Sequence, residues 1–324
     1  MKKYKIVLIV ASFFGFFSCK KDATPQGPSL NLVFKFSPTQ ERLDNLGNAS
    51  VVKAGNAAQN PVVRKMSGHY VELVPSKFTL LGEGAVIYKG AELPASNDGY
   101  TSCIDFSKAK IAGESETFIS VPFKDIKPGT YEYLRISVSY QSGDIKFNIN
   151  DVPYAGNTYD LTDQTATLNS FLGFNTKIGT QTVRTKSYTE NSPQTQGFWA
   201  FETGLVSPYS AFDILETGKS PAGATTVVNP LEAFGVIIPR GSCIVTGKLD
   251  TPLVITGDEA ADKKAILSFS INKSFEWVDT NSNGKWDYTY PETIEQIVDM
   301  GLRGLKVSVE ILTKIRFRLL FLIV

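Results

Sequence analysis

The chain runs to 324 residues with a formal net charge of +1, one histidine and three cysteines. Acidic and basic residues are interspersed, so the basic stripe that nucleic acid requires is missing. With no G-x-S-x-G, H-E-x-x-H, C-x-x-C or nucleotide-binding glycine pattern, serine-hydrolase, zinc and nucleotide chemistry are all disfavoured.

In chain order, the first segment is a targeting signal. Lys2, Lys3 and Lys5 surround the start of an apolar run over residues 6–17, broken only by Ser12, which is the layout of a secretory signal peptide. The run is too short to cross a bilayer, which takes roughly 20 apolar residues. Phe16-Phe17-Ser18-Cys19 follows and resembles the lipobox read by lipoprotein signal peptidase, with small Ser18 in place and bulky Phe17 departing from the pattern. The resemblance implies a signal peptide over residues 1–18 and lipid on Cys19. The text then turns polar and carries Pro25, Gly27 and Pro28, so residues 19–29 read as lipidated cysteine and tether. Two or three acyl chains make a stable anchor where a single chain does not. The expected location is a membrane surface, the outer membrane facing periplasm or exterior.

Residues 30–310 read as a β-rich exported domain. Leu30, Leu32, Phe34 and Phe36 alternate with polar or small residues, as do Leu134, Ile136, Val138 and Tyr140, and then Ile145, Phe147 and Ile149; such alternation marks half-buried strands. Between the last two sets, residues 141–144 read as a hairpin connection centred on Gly143. Further strands are expected at 70–74, 78–81, 118–121, 197–202, 243–249, 253–255, 266–271 and 305–311. Two short helices are expected, one from Ser37 to Leu46 and one from Asp258 to Lys264. The pattern predicts an all-β fold, an antiparallel β-sandwich or jelly-roll-like arrangement with few short helices. A sub-boundary near Asp151 is left open. Residues 311–324 end in six apolar residues, an aggregation hazard unless buried. They read as an aberrant extension in preference to a final strand.

Cys103 and Cys243 remain once Cys19 carries lipid, and an exported compartment is oxidising. Either they pair, closing a loop worth roughly 4–5 kcal/mol in the chain-entropy model, or they stay as buried thiols; spacing does not decide.

The motif with the clearest chemistry is Asp279-Thr280-Asn281-Ser282-Asn283-Gly284-Lys285-Trp286-Asp287. It resembles the first nine positions of an EF-hand or dockerin-type calcium loop. Asp279, Asn281, Asn283 and Asp287 supply oxygen side chains, Lys285 a backbone carbonyl, and Gly284 the sharp turn that a hard cation needs. Position twelve is Tyr290, so Glu292 is expected to reach in as the missing acid. The competing reading is a hairpin turning on Asn283-Gly284 and joining Phe275 and Trp277 to Trp286, Tyr288 and Tyr290. Trp277, Trp286 and Tyr288, clustered beside the loop, are candidate glycan-stacking residues or else core and cross-strand pairs.

The order of elements also supports a family comparison. It rests on Leu30-Asn31-Leu32-Val33-Phe34-Lys35-Phe36, Val121-Pro122-Phe123, Ile126-Lys127-Pro128-Gly129-Thr130-Tyr131, Gly197-Phe198-Trp199-Ala200-Phe201-Glu202 and Leu267-Ser268-Phe269-Ser270-Ile271. This layout resembles the MbnP-like exported β-sandwich proteins associated with methanobactin and copper handling. The resemblance implies the fold. That family's copper chemistry relies on histidine and a modified tryptophan, and here only His69 and Trp199 stand, so copper is not expected. The sequence reading is therefore a lipid-anchored, non-catalytic binding module for a glycan or a surface protein, with calcium in its loop. A structural or assembly lipoprotein, a metal-handling protein and a glycan-active enzyme working through two carboxylates are the alternatives.

Overall fold

The computed structural model describes residues 27–43, 48–221, 231, 234–236, 238 and 240–312. The signal segment, Cys19, tether residues 19–26 and tail residues 313–324 lie outside the described residues. Strand makes up 59% of the structure and helix 4%, so the all-β, sandwich-like expectation holds. The sheets are mixed, however, and not purely antiparallel. Ser29–Ser37 pairs in parallel with Lys263–Ser270, and Cys243–Ile255 in parallel with Leu305–Ile311.

The spine is one strand of 26 residues, Gly129–Tyr154. Cys243–Ile255 lines one of its edges over residues 129–138, and Asn157–Phe171 takes over that same edge from residue 140 onward. Val62–Val74 lines the opposite edge over residues 133–144, followed by Asp287–Thr289 at 148–150. Two packed cores hang on the two halves. The first gathers Leu134, Ile136 and Val138 with Leu32, Phe34, Val245, Leu267 and Phe269. The second gathers Ile145, Phe147 and Ile149 with Phe201, Phe275, Trp277, Trp286 and Tyr288. In the first half even-numbered residues enter the core, and in the second half odd-numbered ones do. The change of phase falls where the register with Val62–Val74 shifts and Ser139 is left without a partner residue between the Tyr140 and Val138 pairs, a bulge that exchanges odd and even positions. Met66 and Val63 of the first core pair with Gln141 and Gly143, in phase with Ile145 and Phe147, so both cores lie on the same face of the strand.

Several expectations are corrected here. Residues 141–144 form no hairpin; they stay paired on both edges. Gly143 is required by a close approach, because a Cβ there would sit 2.8 Å from the Val62 carbonyl oxygen. The turn falls instead at Ala155-Gly156, both with positive φ (50° and 83°), closing the Tyr154–Asn157 pair. That is the two-residue geometry suited to the right-handed twist of a hairpin. Asp151 lies at a register shift inside the same ladder, between the Ile149–Leu161 and Val152–Tyr159 pairs.

Residues 78–81 form a turn, not a strand. Neither expected helix is present among the described residues. Ser37 ends a strand, and its hydroxyl accepts the Gln40 amide in a local turn. The 258–264 segment bends as the Glu259 carboxylate accepts the amides of Thr256 and Gly257. Lys263 and Lys264 are already in a strand, because both edges of that strand find partners. The final strand includes Ile311, paired with Lys263.

Candidate functional site

The 279–287 loop is built by its own side chains. Asp279 accepts the amides of Asn283 and Gly284 at 3.2 and 2.9 Å. Asn281 and Asn283 each turn their carbonyl oxygen to the amide two residues on, at 3.1 and 2.7 Å, while both carboxamide NH2 groups converge on Asp287 Oδ2 at 2.7 Å. Asp287 Oδ1 is held by the Asn148 amide on the long strand at 2.8 Å. The loop thus docks on the strand that carries the second core. Ser282 and Gly284 take positive φ (59° and 71°), a conformation that glycine adopts freely. The competing hairpin is overturned, because Phe275–Val278 pairs with Asn56–Gln59 and Ile297–Asp299 and not with Asp287–Thr289.

The acid that reaches the loop is Glu295, and not Glu292. Glu295 accepts the Thr280 amide and hydroxyl at 2.8 and 2.7 Å and the Asp287 amide at 3.0 Å. Pairing of Thr293–Ile294 with Tyr288 and Thr289 folds the chain back to deliver it. Glu292 is exposed and acts on the Tyr288 phenol. Lys285 turns its ammonium away to Asp163 at 2.9 Å, leaving its carbonyl inward, where it accepts the Trp277 indole N–H at 3.0 Å. A half-turn of each Asn carboxamide exchanges NH2 for oxygen. Asp279, Asn281, Asn283, Asp287, Glu295 and the Lys285 carbonyl thus place oxygen atoms in or against one loop, the atom type that a hard cation takes.

Trp277, Trp286 and Tyr288 are 1%, 0% and 0% exposed, which overturns them as a stacking platform. Trp286 packs against Phe147, Phe201 and Phe275 with ring centroids 5.0–6.2 Å apart. Its indole N–H is satisfied by the Glu295 carbonyl, so these residues are core. Besides Phe78 and Phe234, the exposed aromatics among the described residues are Tyr154 and Tyr159, beside the Ala155-Gly156 turn. Sequence reasoning missed them because that turn was not recognised.

Cys103 and Cys243 are buried free thiols, so the disulfide alternative is not what this structure holds. Cys103 pairs with Leu93 in a small separate sheet, and Cys243 pairs with Val138 on the spine. Burial pushes Cys103 up and Cys243 up to about 12, which keeps both thiols protonated and unreactive. His69 and Trp199 are not grouped in one cluster. His69 Nε2 is taken by Glu92 at 2.9 Å, and Trp199 packs in the second core, where His69 is not. Among the described residues no group of three or more His, Cys, Asp or Glu could hold a metal ion.

Other buried ionisable groups serve structural partners. Glu72 and Arg135 pair at 3.0 Å, 0% and 1% exposed. Glu276 binds Arg42 at 2.6 Å and Asn56 at 2.7 Å. Burial lowers the His69 pKa against the raising pull of Glu92. Glu202 gathers the amides of Arg184, Thr185 and Lys186 and the Thr185 hydroxyl at 2.6–3.2 Å. Burial pushes the Glu202 pKa up, but these donors outweigh it and hold the group below the ordinary carboxylate value. A depressed folded pKa contributes stability above the unfolded pKa, and that contribution is lost as pH falls through the folded value. Glu202→Gln is expected to cost roughly 2 kcal/mol at neutral pH, the size of charged hydrogen bonds. The difference from wild type should shrink as pH drops below about 4. Melting curves from pH 7 to pH 3 check this, and a gap that does not change with pH would contradict it.

The chain matches no family model, no curated protein and no solved structure.

Proposed function

We propose that this protein is an exported lipoprotein, tethered through lipid on Cys19, whose β domain is a non-catalytic binding module held in shape by calcium at the 279–287 loop. The observation that carries the non-catalytic part is the commitment of the buried Glu72, Glu202, Glu276 and His69 to structural partners. General acid–base work needs a group within reach of substrate, and these four are buried and already bonded to protein partners. The ion assignment is supported by the convergence of side-chain oxygens around Gly284 and by the delivery of Glu295 from a separate turn. The membrane assignment is supported by the sequence of residues 1–29 alone. Glycan or surface protein is the partner class, and nucleic acid is not.

A ligand that binds only the folded state stabilises it by mass action, by about 2.7 kcal/mol at a hundred times Kd. Millimolar calcium should therefore raise the melting temperature by several degrees relative to chelator, on the order of 2–4 °C per kcal/mol at this size. Asp279→Ala and Glu295→Gln should each remove that dependence, while Glu292→Gln should keep it. Superimposable melting curves of wild type in calcium and in chelator would withdraw the ion.

A further inference from the structure

We infer that the tip of the hairpin formed by Gly129–Tyr154 and Asn157–Phe171 is the ligand-binding surface, and that it takes a neutral carbohydrate chain. This rests on the binding-module reading and names its site and ligand class. Three tyrosines meet there. Tyr154 and Tyr159 flank the Ala155-Gly156 turn and are 37% and 36% exposed. The register pairs Val152 with Tyr159 and Tyr154 with Asn157, which puts both rings diagonally on the face where Val152 is buried. Tyr209, in the short turn Tyr209–Phe212, closes the cluster. Ring centroids are 6.3 Å apart for Tyr154–Tyr159, 5.3 Å for Tyr154–Tyr209 and 5.7 Å for Tyr159–Tyr209.

The chemistry of this surface selects its occupant. The rings already touch one another, so no space remains between them for a cation of the kind an aromatic cage holds. Tyr154 and Tyr159 keep about a third of their surface exposed, Tyr209 backs them while packing partly against the second core, and each carries a hydroxyl. A pyranose matches that combination, with a flat C–H face to lie on a ring and hydroxyls to meet polar groups. From Asp151 to Asp160 the tip has two carboxylates and no Lys, Arg or His. Anionic lipid, phosphate and acidic sugars are repelled by it, and a neutral polyol is not. The surface is an open platform, which suits a chain crossing it better than a single small ligand.

Position in the fold agrees. The described chain begins beside the other end of the spine, where Ser29 pairs with Pro122 and the Phe123 amide donates to the Pro28 carbonyl at 3.0 Å. Lys263, which pairs with Leu30, bonds the Val254 carbonyl, and Val254 pairs with Thr130. The Gly129 end of the strand therefore adjoins the tether. At roughly 3.3 Å per residue, 26 residues trace about 80 Å to Tyr154, so the tyrosines stand at the other end of the strand from Pro28 and Ser29.

The test is affinity electrophoresis of the full-length protein in detergent through gels holding xylan, β-1,3-glucan, α-1,4-glucan or mannan, with polygalacturonate as an anionic probe. Wild type is expected to be retarded by at least one neutral polysaccharide and not by polygalacturonate. Tyr154→Ala with Tyr209→Ala should weaken that retardation by about tenfold or more, as loss of aromatic anchors does, in a protein that still unfolds cooperatively, at a lower melting temperature because Tyr209 packs partly against the second core. Tyr154→Phe with Tyr209→Phe, which preserves the rings, should keep most of it. Retardation untouched by the alanine pair would overturn this site while leaving the binding-module reading intact. No retardation of wild type in any neutral gel would overturn both. Sedimentation showing a dimer that the alanine pair dissociates would make the tip an interface between copies and overturn the carbohydrate assignment.

Discussion

Arg135→Ala is expected to destabilise the domain by about 3–5 kcal/mol, the cost of stranding one charge of a buried pair. Arg135 lies on the face of the spine opposite the first core, and its Nε meets Glu72 Oε2 at 3.0 Å while Nη2 donates to the Leu80 carbonyl at 3.0 Å. Glu72 also accepts the Tyr70 hydroxyl at 3.0 Å and the Gly84 amide at 2.7 Å. One cluster thus pins the middle and the last residue of the 75–84 loop over the sheet. Removing the guanidinium leaves the carboxylate with two neutral donors in a place that water does not reach. Glu72→Ala strands the arginine in the same way. Replacing both residues together, Glu72→Leu with Arg135→Met, removes the uncompensated charge and should be more stable than either single alanine variant. Recovery should be incomplete, because the Gly84 amide and the Leu80 carbonyl still lose their partners. Denaturant unfolding of the three variants checks the order. A single variant within about 1 kcal/mol of wild type would show the pair to be solvated, as exposed pairs are.

What was legible in the sequence follows the range over which each feature acts. Alternation is local, so most strands were placed. The long strand was split because its apolar residues change phase, from even positions through Tyr140 to odd positions from Ile145, with a glycine between. A hairpin is the simple way to explain such a change. The chain instead continues through a bulge at Ser139, where the register with Val62–Val74 shifts and odd positions take over the face that even positions held. Such a bulge is fixed by the partner strand and has no local signature. Gly143 resembled a turn residue because sequence does not distinguish a glycine needed for positive φ from one needed to let a neighbouring backbone pass. The true turn escaped because Ala155 is an unusual occupant of a positive-φ position.

The calcium-type loop was legible because its donors lie within nine residues. The acid that reaches it was not, since Glu295 arrives only after Thr293–Ile294 has paired back on Tyr288 and Thr289. The buried tryptophans were misplaced for a related reason. An aromatic side chain that looks available beside a loop is equally suited to a core, and burial here follows from strand partners far off in sequence, Asn56–Gln59 for Trp277 and the spine for Asp287–Thr289. Cysteine pairing is likewise a matter of three-dimensional distance, which spacing along the chain does not carry.

The largest all-or-none effect belongs to Cys19. If its thiol carries the lipid, Cys19→Ala removes the acceptor for every acyl chain attached there, and no other feature of residues 1–29 replaces a stable two- or three-chain anchor. The domain itself should be unaffected, because the described chain begins at Gly27 and the first core starts at Leu30. The measurement is metabolic labelling with an alkyne fatty acid in a bacterial host, followed by membrane fractionation of wild type and Cys19→Ala. The expected result is a labelled, membrane-bound wild type and a variant that carries no label and leaves the membrane with an unchanged melting temperature. Label that persists on the Cys19→Ala protein, or a wild type that carries none, would contradict the lipoprotein assignment.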